Sequence, residues 1–191
     1  MDAAVKAALA RWPGVPDVYG WLALAARGQW LLRGEPIANP AMRAYIGRNY
    51  ACDPRGAWFF QNGPQRVYVR LELAPWVYRL HPDGHLRTFT GTAARRLLGA
   101  ALVDGERFAV LTELGAGCVD DRDTGHFLDA LTDESGRPFD DAGLERLLAG
   151  RRPAALPAPR VGLIGPLEPL QQLSAEQLGP AFGFQRDPAP D

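Results

Sequence analysis

From Gln65 to Leu73 the side chains alternate, with Val67, Val69, Leu71 and Leu73 on one side and Tyr68, Arg70 and Glu72 on the other. A period of two marks a strand with one buried face. The preceding run, Ala57 to Gln61, is apolar and aromatic. Asn62-Gly63 between the two runs favours a primed hairpin turn, although Pro64 predicts a departure from a two-residue loop. Upstream, Trp and Leu crowd Tyr19 to Leu32 around Arg27-Gly28, which predicts two short strands and a tight turn. Elsewhere the helical period takes over. Behind Asp2 as cap, Val5, Ala8, Leu9 and Trp12 share a face until Trp12-Pro13-Gly14-Val15-Pro16 stops the helix. Asn39-Pro40 starts a second helix, with Met42, Tyr45, Ile46 and Asn49 on one face.

A strand–turn–helix plan recurs at intervals of about fifty residues, the mark of a supersecondary unit used more than once. Gly34-Glu35-Pro36-Ile37 leads to Tyr45 and Ile46, Phe89-Thr90-Gly91-Thr92 to Leu97 and Leu98, and Gly136-Arg137-Pro138-Phe139 through Asp140-Asp141 to Leu147 and Leu148. In the second unit Leu86 to Phe89 reads as a strand, Ala93, Leu97, Leu98, Ala101 and Leu102 as a helix face, and Phe108 to Leu114 as a strand. Gly115-Ala116-Gly117 then reads as a turn into Cys118-Val119. The third occurrence is a fragment: a strand over Phe127 to Thr132 and a helix capped by Asp140 or Asp141. Beyond Arg151-Arg152 proline accumulates, favouring extended, poorly packed backbone. Within it, Ser174-x-x-Gln177 has capping-box spacing, and Val161 to Ile164 and Phe182 to Phe184 are too apolar for a free linker. The pattern predicts an α+β fold of two tandem strand–helix–hairpin units with antiparallel sheet. Residues 1–80 form the first unit, 81–152 the second with a capping helix, and 153–191 a proline-rich C-terminal extension.

Composition narrows the classes. The 191 residues are 47% hydrophobic and 23% charged, near globular averages. With 21 basic and 22 acidic residues the net charge is −1, which argues against a broad phosphate-binding face and so against nucleic acid. No apolar run approaches the ~18 residues that cross a bilayer, and Met1 to Trp12 does not read as a signal peptide. A soluble protein of the reducing cytoplasm is the expectation, with Cys52 and Cys118 in no metal-ligand spacing and a disulfide between them disfavoured.

The densest polar run is Asp120-Asp121-Arg122-Asp123-Thr124-Gly125-His126. It resembles part of a calcium loop but lacks the terminal bidentate Glu, so a solvated turn is expected and no metal. No phosphate-cradling loop, dinucleotide fingerprint, nucleophile elbow or zinc-protease pair is present, and no cofactor is expected. Ser135 and Ser174 fall in a turn and at a cap, leaving no serine nucleophile. Gln61, Asn62, Gln65 and Arg66 of the first hairpin, with Tyr68, Arg70 and Glu72, read as a concave face for a small anionic or peptide ligand; Glu113 of the second hairpin joins them, which puts the groove between the units. The opposing reading is that Asn62-Gly63 serves the turn while Arg70 and Glu72 pair across strands. Trp21, Trp30, Trp58 and Trp76 read as core anchors.

The run Gly-Glu-Pro-Ile at 34–37, followed by Trp58-Phe59-Phe60-Gln61-Asn62-Gly63-Pro64-Gln65-Arg66-Val67-Tyr68-Val69, resembles an uncharacterised proteobacterial family known only as a domain of unknown function. More distantly it is similar to another such family, in which small α+β units repeat within one chain and a role in signalling has been suggested. The resemblance implies a duplicated α+β fold and carries over no catalytic residue. Three functional classes follow: a non-catalytic module binding a small ligand or protein, with a regulatory role; a hydrolase built on Glu35, Glu113, Asp121 and His126; and a scaffold acting through the proline-rich tail.

Overall fold

The computed structural model describes residues 1–148 and 153–190. The boundary expected at Arg151-Arg152 and the terminal Asp191 lie outside the described residues. The chain forms two compact units, Met1–Pro75 with Gly183–Asp191, and Trp76–Phe182.

The first unit holds α1 (Ala3–Arg11), β1 (Val18–Leu24), β2 (Trp30–Leu32), β3 (Glu35–Pro36), α2 (Pro40–Arg48), β4 (Tyr50–Cys52), β5 (Trp58–Asn62) and β6 (Gln65–Leu71). Its sheet runs β3-β2-β1-β6-β5-β4. The alternation in β6 gives the expected result: Val69 and Leu71 are buried while Arg70 is exposed. Registers place Leu22, Leu24, Trp30, Val69, Leu71 and Phe60 on the same face. Tyr45 of α2 packs edge-on against Phe60 at 5.4 Å, and Ile46 is buried, so this face is the core. Trp30 on β2 and Tyr50 on β4 meet at 5.0 Å between ring centroids although three strands separate theirs. A flat sheet would put those strands about 19 Å apart. The sheet therefore curls around its apolar face, and the opposite face is convex.

Three local features differ from expectation. The β5–β6 hairpin pairs Asn62 with Gln65, so its loop is Gly63-Pro64, a two-residue turn displaced by one position. Gly63 has φ 58°, supplying the positive angle that the first position of a type II′ turn needs, with Pro following. Trp21 is 50% exposed instead of a core anchor, because Leu22 and Leu24 take the buried face of β1 and Trp21 alternates onto the other face with Ala23. There the Arg33 guanidinium covers its ring at 3.9 Å. Asp2 stands at the start of α1 without capping it; its carboxylate binds Arg48 and Asn49.

The second unit holds β7 (Trp76–Leu80), β8 (Leu86–Thr88), β9 (Leu97–Val103), β10 (Arg107–Thr112), β11 (Gly115–Val119), α3 (Thr124–Ala130), α4 (Asp141–Leu148), β12 (Ala155–Pro157), β13 (Leu167–Leu173) and α5 (Ala175–Phe182). Its sheet runs β12-β13-β9-β10-β11-β7-β8. The fold is α+β, but both sheets are mixed and not antiparallel: β1 with β6, β7 with β11, and β9 with β13 run parallel.

The expected helix through Leu97 and Leu102 is strand β9. Paired on both edges and buried over most of its length, it needs apolar residues on both faces, and such a run mimics a helical stripe. The second unit therefore does not repeat the strand–helix–hairpin plan. The reverse error occurs at Phe127, which lies in α3, packed against Phe108 of β10 at 5.6 Å. The expected turn at Gly115-Ala116-Gly117 is strand β11. A Cβ at Gly117 would come within 2.5 Å of the Tyr78 ring, which explains glycine in a strand there. The proline-rich segment is not loosely packed: β12, β13 and α5 belong to the second unit, with Leu156, Val161 and Leu178 fully buried.

Candidate functional site

On the convex face of the first unit Arg66, Tyr68 and Arg70 form a row along β6, each two residues from the next. Tyr68 is the middle and the best held. Its ring stacks on Tyr19 at 4.6 Å and 3°, leans on Phe59 at 5.8 Å, and with Ala57 forms a small buried cluster. Its hydroxyl donates to Asp53 Oδ2 at 3.0 Å. Burial pushes the Tyr68 hydroxyl up from its ordinary range; the Asp53 carboxylate adds to this against the hydrogen bond from Arg66. Arg66 lies over the Phe59 ring, 4.9 Å from its centroid, so its guanidinium is pre-oriented.

Asp53 organises the end of this row. Its Oδ1 accepts from the N–H groups of Arg55 and Ala57, both at 2.9 Å, and its Oδ2 lies 3.4 Å from Arg55 Nε. Burial opposes ionisation, but the hydrogen bonds from Ala57, Tyr68 and Arg55 together outweigh it and hold the carboxyl below its ordinary value. Arg70 differs from its neighbours. Its partner in the parallel register with β1 is Ala23, and among the described residues its side chain has no hydrogen bond or ion pair. The cross-strand pairing that would have made Arg70 structural is absent from that register. Glu72, by contrast, serves a turn: its Oε2 accepts from the Ala26 N–H at 2.9 Å.

The other expected ligand residues divide. Gln61 is buried and spends its amide on the Gly63 carbonyl at 3.0 Å. Gln65 donates to the Pro16 carbonyl at 3.0 Å, and Asn62 is exposed at the hairpin end. Glu113 belongs to the second unit, where its carboxylate accepts the N–H groups of Arg95 and Arg96 at 2.7 and 2.8 Å. The sequence showed Asn49 only as part of a helix face and gave Asp53 no role in the site. Asn49, fully buried, accepts the Asp2 N–H at 2.7 Å and donates to the Tyr45 carbonyl. The legible signal for Asp53 was only that of a turn, Asp53-Pro54-Arg55-Gly56.

The polar run at 120–126 builds a short 3-10 turn and the start of α3. Asp120 pairs with Arg122 and Arg79, and Asp123 accepts the Leu80 N–H at 2.8 Å. Hydrogen bonds from Arg122, opposed by burial and joined by Arg79, hold the Asp120 carboxyl far below its ordinary range. Asp121 lies 3.5 Å from Arg107, and the His126 ring meets the Arg160 carbonyl at 2.9 Å. Among the described residues no group of three or more His, Cys, Asp and Glu side chains is arranged to hold a metal. Glu35 lines an open groove of about 490 Å³ in the first unit with Leu32, Pro36, Ile37 and Met42. Both cysteines are free, and burial pushes the Cys52 thiol up to about 11 and Cys118 to about 12, so neither is an activated nucleophile. Ser174 closes a capping box with Gln177, and Ser135 bonds Asp133. Among the described residues no helix is long and apolar enough to cross a membrane.

No curated protein matches the chain. Two crystal structures are similar. A DUF1285 family protein from Silicibacter pomeroyi DSS-3 is 18% identical over 70% of this chain and 87% of that one, with TM-score 0.48. A DUF1285 family protein from Shewanella baltica OS155 is 19% identical over 56% of this chain and 90% of that one, with TM-score 0.44. The model of the DUF2944 family, described as "Protein of unknown function (DUF2946)", matches residues 1–189, and the chain belongs to that family.

Proposed function

We propose that this protein is a non-catalytic binding module whose ligand carries negative charge and docks at Arg70, with Arg66 beside it on the same face of β6. The observation that carries the reading is Arg70, an exposed guanidinium on a central strand whose neighbour on β1 is an alanine. Charges on central strands ordinarily find cross-strand partners, and a planar fork without one is suited to a carboxylate or phosphate. The hydrolase reading has less support, since the Glu113 carboxylate and the His126 ring are each committed to backbone partners. The scaffold reading has less too, because the proline-rich segment supplies strands to its own chain. A regulatory role fits a binding module and is part of the proposal.

The test is a thermal-shift panel of carboxylates and phosphates on the protein and on Arg70→Gln. A ligand of this face raises the Tm of the parent by mass action and that of the variant less. Equal stabilisation of both proteins by every binder would put the site elsewhere.

A further inference from the structure

We propose that the C-terminal segment, residues 183–190, is a detachable strand whose seat on the first unit also takes the same segment from a second copy of this chain, so that two chains pair by exchanging tails. The register of β5 with β6 ends at Phe59–Tyr68, and β6 runs on past it to Leu71. The tail fills that edge. The Leu71 N–H donates to the Arg186 carbonyl at 2.7 Å, and the Gln185 N–H donates to the Gly56 carbonyl at 2.9 Å. The Gln185 side-chain amide reaches the Arg55 carbonyl at 3.0 Å, and the Arg186 guanidinium donates to the Glu72 carbonyl. Two apolar side chains anchor the segment: Phe184 is 6% exposed, and Pro188 is buried. Gly56 leaves room for the Gly183 carbonyl, which a Cβ there would strike.

Main-chain pairing with a few side-chain anchors is how an added strand is recognised, and it does not depend on which chain supplies the strand. Here the tail belongs to the first unit although α5, just before it, belongs to the second. Only Gly183 separates Phe182, the last residue of α5, from the anchor Phe184. It has φ 73°, and a Cβ on it would meet nothing within 4 Å, so this residue can redirect the tail. Every copy carries both seat and tail, and a two-fold exchange fills both seats with the contacts of the monomer. An empty seat costs the Leu71 N–H and the Gly56 carbonyl these partners, which favours refilling. The chain's own tail competes at an effective concentration on the order of mM, so the monomer prevails in dilute solution.

The experiment has two arms, both on the full chain. In the first, fluorescence anisotropy follows labelled Gly-Phe-Gln-Arg-Asp-Pro-Ala-Pro with the parent and with Phe184→Ala, which loosens the resident tail. The peptide should bind the variant at least tenfold more tightly than the parent, whose seat is filled. Methylating the peptide's Gln backbone nitrogen removes the donor to Gly56 and should weaken binding about tenfold. Equal binding to both proteins, or indifference to the methyl group, puts the peptide elsewhere and overturns the seat. The second arm does not depend on the stability of the variant. The parent is refolded from urea at about 1 mM, diluted, and sized by light scattering. Tail exchange predicts a dimer that persists on dilution and that Phe184→Ala does not form. A parent that remains monomeric, or a variant that dimerises equally well, overturns the exchange.

Discussion

Gly56 shows how little freedom single positions have in the first unit. It has φ 82°, and a Cβ there would lie 2.5 Å from the Gly183 carbonyl oxygen. Backbone cannot yield as a flexible side chain does, so Gly56→Ala should cost about 3 kcal/mol in urea unfolding. A loss below about 0.5 kcal/mol, the scale of a surface substitution, would show that Gly183 does not seat there. Asp53 is the polar counterpart. Its carboxylate satisfies the Arg55 and Ala57 N–H groups and the Tyr68 hydroxyl, and Asp53→Ala leaves all three without their acceptor. About 2 kcal/mol of destabilisation is expected, with the Tyr68 signal in near-UV circular dichroism changed. An unchanged spectrum would mean that the Tyr19–Tyr68 stack holds without Asp53.

At the scale of elements, α5 begins with a reciprocal cap: the Gln177 N–H donates to Ser174 Oγ at 3.3 Å and the Ser174 N–H to Gln177 Oε1 at 2.8 Å. Ser174→Ala should cost about 1 kcal/mol by thermal denaturation, and a neutral result would assign the start of α5 to packing alone. This cap was legible because its chemistry is local. So were the α2 start, where Asn39 accepts from the N–H groups of Ala41 and Met42, and the alternation of β6. What escaped was set by distant partners. β9 looked helical because its second neighbour, β13, is about seventy residues away in sequence, and nothing in Leu97 to Val103 announces it. The curl of the first sheet depends on Trp30 meeting Tyr50, so the candidate face was expected concave and is convex. Within the site, Arg70 and Tyr68 could be placed on one face from the sequence. That Gln61 was consumed by its turn and that Asp53 lay at the end of the row could not, since both follow from contacts across the fold.

For the whole molecule, acid sensitivity follows from carboxylates held in their charged form. Asp53 and Asp120 are both lowered from an ordinary value of 3.8. The unfolded chain therefore takes up their protons first, so the stability they add is present above that value and lost as pH falls through their folded values. Unfolding free energy should decline from about pH 5 toward pH 2, and Asp120→Asn should flatten that decline. Parallel curves for parent and variant would remove Asp120 from the account. The proposed function turns on a smaller patch, the arginines of the convex face. The most direct measurement is an NMR titration of the 15N-labelled protein with citrate and with inorganic phosphate, following the arginine Nε–Hε signals. Docking on the row predicts shifts concentrated at Arg66 and Arg70 and at the amides of β6 and β1. Arginine signals unmoved at saturation, or shifts confined to residues 76–182, would contradict it.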